Sequence, residues 1–106
     1  MTSGLLIHAD GTLIDVQVTA GSVAGHLGCR VGSPVALTSR LDMWIDDESI
    51  YAHPVNPIAT ALARRHGLVW QPYHGPALLC GVDAEGGSCN LTNDQLIALL
   101  TALEEI

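Results

Sequence analysis

With 106 residues, 48% of them hydrophobic, the chain is long enough for one packed domain and too short for a second core. Its 11 acidic residues against 4 arginines, with no lysine, give a net charge of −7, which argues against the basic footprint from which nucleic-acid binding starts. Three cysteines without a CxxC pair, no apolar run of membrane-spanning length and no secretory leader pattern predict a reduced, cytoplasmic protein that meets neither membrane nor nucleic acid.

In chain order, Leu5–His8 and Leu13–Val18 flank Asp10-Gly11, a hairpin signal, and predict paired antiparallel strands at 4–8 and 12–18. Val23 and Leu27, four apart, predict a short helix over 20–28 that Gly28 stops. Its three glycines weaken it by about 1 kcal/mol each relative to alanine. From Ser33-Pro34 the chain alternates through Val35, Leu37, Ser39 and Leu41 and runs on through Met43-Trp44-Ile45 as a strand. Asp46–Ser49 turns it, and Ile50-Tyr51-Ala52 returns as a short strand.

Asn56 as N-cap, Pro57 at the first position, Arg64, Arg65 and His66 in the last turn and Gly67 as stop predict a helix over 57–66, with Ile58, Ala61 and Leu62 buried. Leu68-Val69-Trp70 reads as a short extended piece. Ala77–Val82, apolar on both faces, reads as an interior strand. Asp83–Gly87 turns the chain, and Ser88–Leu91 pairs back. Thr92 and Gln95 form a capping box that opens a helix over 94–104, with Leu96, Leu99, Leu100 and Leu103 along its apolar stripe. The fold class is therefore α+β: a small, mostly antiparallel sheet packed with two main helices, at 57–66 and 94–104, and a short helix over 20–28.

Catalytic and metal signatures are sparse. His8, His26, His53, His66 and His74 and the cysteines lack the close spacing of zinc ligands, so no metal or cofactor is expected. Cys80 sits in an apolar strand, where a thiol is usually a small core residue, and it is the best nucleophile an enzyme reading has, with His74 six residues before it. No GxSxG elbow or phosphate loop is present. The acidic run Asp46-Asp47-Glu48, with Asp42 before it, reads as a solvated turn rather than a mimic of nucleic-acid phosphates.

The most specific stretch is Ala52–Leu62. Asn56, Thr60 and Arg64 recur at i, i+4, i+8 and line one polar stripe. Capping and dipole complementarity account for Asn56 and Arg64 on purely structural grounds. The functional reading is a groove for a ligand or partner, flanked by Tyr51, His53, Tyr73 and His74. Trp44 and Trp70 are either core anchors or contact residues. Trp44, on the opposite face from Met43 and Ile45, suits the surface or a dimer seam.

The Asp-Gly hairpin, the Leu27-Gly28 stop, "WIDDESIYAHPVNPIATAL", "GPALLCGVD" and "LTNDQLIALL" together resemble the small proteins of bacteriophages and actinobacteria grouped as domain of unknown function 3846. The resemblance covers roughly residues 10–103 and is strongest over Val55–Leu62 and Gly75–Val82. His53-Pro54 stands where Leu-Pro is more usual. The resemblance implies a phage-type accessory domain, and it implies no reaction, substrate or catalytic residue. The expectation is a non-enzymatic protein that binds a host protein and modulates its activity, with a homodimer compatible with so small a domain. A dimeric binder of a small molecule such as a nucleotide signal is the first alternative and an enzyme the second.

Overall fold

The computed structural model describes residues 4–18, 22–29, 32–48, 52–69 and 71–106. Asp10-Gly11 turns as its residues predict: Asp10 Oδ1 accepts from the Thr12 amide at 2.9 Å and Gly11 takes φ +95°, joining β1 (Gly4–Ile7) to β2 (Leu13–Val16). β1 then pairs with β5 (Ala77–Val82), the interior strand, whose first five residues are all buried. Against the other side of β5 lies β4 (Leu41–Ile45), and beyond it β3 (Ser33–Thr38).

Among the described residues all the pairings are antiparallel, and the order is β2-β1-β5-β4-β3. A two-residue β6 (Ser88–Cys89) pairs with the end of β5. The sheet is open, with β2 and β3 at its margins.

Residues 33–45, which read as one run, are two strands. The Thr38 hydroxyl accepts from the Arg40 amide at 3.1 Å and closes a turn at Ser39-Arg40, with no glycine, asparagine or proline to announce it. The register then slips between Ala36 and Thr38, leaving Leu37 as the extra residue of a β-bulge.

The period of two along each strand sorts side chains to two faces. Leu5, Ile7, Leu41, Met43, Ile45, Ala77 and Leu79 face one way and pack with Leu37, Tyr73, Leu91 and both long helices. Leu6, Leu78 and Cys80 face the other way, under Val18, Val23 and Leu27, with Val16 and Trp44 at the border. Helix α1 (Val23–Leu27) is shorter than the 20–28 expected. It ends at Gly28, whose φ of +70° is the left-handed stop that the sequence suggested.

Helix α2 (Pro57–Arg65) is capped by Asn56 as predicted and buries Leu62 as predicted; its inward face centres on Ala59, Leu62 and Ala63, with Ile58 and Ala61 half-buried beside it. Helix α3 (Asn93–Glu104) opens with both halves of the capping box, Gln95 N–H to Thr92 Oγ1 and Thr92 N–H to Gln95 Oε1, each 3.0 Å. Of its four stripe leucines, Leu99 is buried, Leu96 and Leu103 are half-buried and Leu100 faces solvent. Among the described residues no helix is long and apolar enough to cross a membrane. The predicted strand residues Ile50 and Tyr51, and Trp70, lie outside the described residues.

Candidate functional site

Asn56 is the most connected polar side chain near the expected groove. It is 1% exposed, and its Oδ1 accepts from the Ala59 amide at 3.0 Å, the bond expected of an N-cap. Both hydrogens of its amide are also engaged, Nδ2 donating to Ile7 O at 3.0 Å and to Gly75 O at 2.9 Å. Its backbone N–H donates to Tyr73 O at 2.8 Å. Asn56 thus fastens the end of β1, the start of α2 and the loop before β5 to one another. An amide so committed has no donor left for a ligand.

Thr60, one turn on, continues the same seam: its Oγ1 accepts from the Tyr73 amide at 2.9 Å. Tyr73 is buried in the larger core, so its ring faces protein. Residues 53–55 run beside 74–75. Val55 and His74 form an antiparallel bridge, Gly75 N–H donates to Pro54 O at 3.0 Å, and His74 Nδ1 sits 2.9 Å from His53 O. A carbonyl can only accept, so His74 carries its proton on Nδ1.

The stripe therefore runs from the interior outward: Asn56 buried, Thr60 half-buried, Arg64 exposed in the last turn of α2. Two depressions flank the 53–55/74–75 ribbon. One, about 540 Å³, is lined by His8, Ala9, Asp10, His53, Pro54, Val55, Gly75 and Pro76. The other, about 280 Å³, is lined by Ile45, Asp46, Asp47, Gln71, Pro72, Tyr73 and His74. The Thr12 amide beside Asp10 holds its carboxyl below the usual range. Tyr51 lies outside the described residues. Trp44 is on the opposite face of the sheet, half-buried beside α1, so the structure does not bring it together with the others.

Cys80 is fully buried opposite Asp42 in the β4–β5 pair. Burial pushes its thiol up, with the Ser88 hydroxyl opposing, and burial pushes the Asp42 carboxyl up as well. A thiol held protonated is the reverse of an activated nucleophile. Among the described residues no three His, Cys, Asp or Glu side chains converge as metal ligands.

A second surface lies on α3, where the spacing predicts Leu100 in the buried stripe and the structure exposes it. Ile97 is 64% and Leu100 39% exposed on the outward side of α3, while Leu99 on the inward side is 3% exposed. Asn93, Ile97, Leu100 and Glu104 are spaced i, i+4, i+7, i+11, a solvent-facing stripe in which two members are large and aliphatic. The signal was present in the density of apolar residues over 96–103, which is more than one face of a helix can bury. On β2, Leu13 is 40% and Ile14 42% exposed.

Fold and surface define a small open-sheet α+β domain whose exposed apolar residues include Ile97 and Leu100 on α3 and Leu13 and Ile14 at a sheet margin. The model of the family described as Domain of unknown function (DUF3846) matches residues 1–104, and the chain belongs to that family. Neither the curated proteins nor the solved structures compared with it gave a match.

Proposed function

We propose that this chain is a non-enzymatic accessory protein of phage type that binds a host protein in the cytoplasm and modulates its activity, using the outward face of α3. The observation that carries this reading is the exposure of Ile97 and Leu100. The inward stripe of Leu96, Leu99, Ala102 and Leu103 already docks the helix on the sheet, so these two side chains are not needed to hold it there. Asp94 lies at the start of the helix and Glu104 at its end, while Glu105 just beyond it is bridged to Arg65 at 3.3 Å, in a chain of net charge −7. An acidic helix with a short aliphatic ridge fits an apolar groove rimmed by lysine or arginine on the partner.

The nucleotide-binding alternative has less support, because Asn56 has both amide hydrogens engaged and Tyr73 has its ring in the core. The enzyme alternative is weakened in the same way by the buried, protonated Cys80.

The test is affinity capture from actinobacterial lysate followed by cross-linking, with wild type and the Ile97→Asp/Leu100→Asp variant side by side. A protein enriched by wild type, cross-linked to α3, released by salt and lost with the variant supports the reading. Equal capture by both chains, or cross-links confined to other elements, overturns it.

A further inference from the structure

The two margins of the sheet differ in kind. β3 carries Pro34, which has no N–H to offer a neighbouring strand, and the bulge at Leu37, which breaks the line of its backbone. These are devices that close an edge to pairing. β2 has neither proline nor bulge nor basic residue, and its one charge is Asp15. Its exposed aliphatics lie on opposite faces: Leu13 shares the face of Ile7, and Ile14 shares the face of Leu6. A strand added at this margin covers apolar surface above and below the sheet together. What fits is another strand with aliphatics on both faces, and β2 is itself such a strand.

We propose that two copies of this chain pair antiparallel along β2, with Ile14 opposite Ile14 of the second copy. A two-fold axis through the sheet keeps like faces together only when paired residue numbers sum to an even value, as they do for β1 with β2. Within β2 the central choices are then Ile14 facing itself or Asp15 facing itself. The second sets two carboxylates against each other, which destabilises a cross-strand pair. The first places Leu13 beside Asp15 of the second copy and Thr12 beside its Val16. So short a seam covers less than the roughly 1,200 Å² of a standard interface, so the dimer forms at high concentration and dissociates on dilution. The charge of −7 on each copy opposes it, so added salt strengthens it, the reverse of the response proposed for the α3 contact.

Sedimentation equilibrium across a concentration series, at low and moderate salt, tests this with wild type and Ile14→Lys. The expected result is a mass that climbs from 11.1 kDa toward twice that value for wild type, more steeply with salt, and stays at one chain for Ile14→Lys. Mild oxidation of Ile14→Cys, compared with wild type and with Ala36→Cys on β3, reads the register directly and stands if the lysine variant misfolds. A covalent dimer specific to position 14 is expected. A wild type that stays monomeric throughout, or cross-linking at position 36 equal to that at 14, overturns the proposal.

Discussion

Asn56 and Ile7 are 49 residues apart in sequence and joined by a 3.0 Å hydrogen bond from the Asn56 amide to the Ile7 carbonyl. The same side chain caps α2 and holds Gly75 O, so one residue closes three chain segments around a buried polar centre. Asn56→Ala removes the cap, worth about 1 kcal/mol, and strips the donors from two carbonyls, for a total loss on the order of 3 kcal/mol. Asn56→Asp keeps the cap acceptor but turns a carboxylate toward those carbonyls, and is expected to be at least as damaging. Urea unfolding followed by tryptophan fluorescence measures both. An aspartate variant as stable as wild type would show that the amide hydrogens contribute nothing.

Gln95 has two tasks, since Nε2 donates to Arg40 O at 2.9 Å while Oε1 completes the capping box. Thr92→Ala is expected to cost about 1 kcal/mol through the cap alone. Gln95→Ala should cost more, because it also frees the β3–β4 turn from α3. Thermal unfolding of the single and double variants tests the order, with the double falling short of the sum since the two side chains share one box.

Two glycines are expected to answer an alanine substitution in opposite ways. A Cβ at Gly81 would meet Asn90 O at 2.7 Å, a backbone atom, so Gly81→Ala must displace β6, at a cost of about 1–3 kcal/mol. A Cβ at Gly25 meets nothing within 4 Å, and Gly25→Ala in α1 should stabilise by about 0.5–1 kcal/mol. Chemical denaturation of the pair decides. A Gly81→Ala chain unchanged in midpoint would mean that β6 has room to move.

Burial raises Asp42, so the folded chain holds that proton to higher pH than the unfolded chain does. The unfolded state then binds fewer protons, and this group's contribution to stability falls as pH rises from about 4 through its folded titration. Asp42→Asn removes that loss, so it should match wild type near pH 3 and melt higher at pH 7. Cys80 follows the same sign at alkaline pH, with stability lost above its ordinary value of 9.0. Melting temperatures from pH 3 to 10 check both, and an asparagine variant less stable than wild type at pH 7 would refute the assignment to Asp42.

Local chemistry made most of the fold legible. The Asp10-Gly11 turn, the Asn56-Pro57 start, the Thr92/Gln95 box and the Gly28 stop are each set by groups a few residues apart, and each stands where the sequence put it. The Ser39-Arg40 turn is not legible in the sequence, because its alternation never breaks and a single threonine hydroxyl closes it. Periodicity places Leu100 in the buried stripe, because it gives the spacing of a face and not its angle to the sheet. Asn56 reads as a cap from its neighbours alone, but its bonds to Ile7 and Gly75 depend on chain pairings 49 and 19 residues away. Spacing along α2 could not show that one end of its polar stripe is interior.

Pro34 and the Leu37 bulge do more than shape β3. A sheet with two receptive margins can add strands at both ends and grow into a filament, whereas one with a single receptive margin has a valency of one. Whatever strand settles on β2, the opposite side offers a line interrupted at Pro34 and again at Leu37. Among the described residues β3 is thus the less receptive margin, and pairing along β2 favours finite assemblies over filaments.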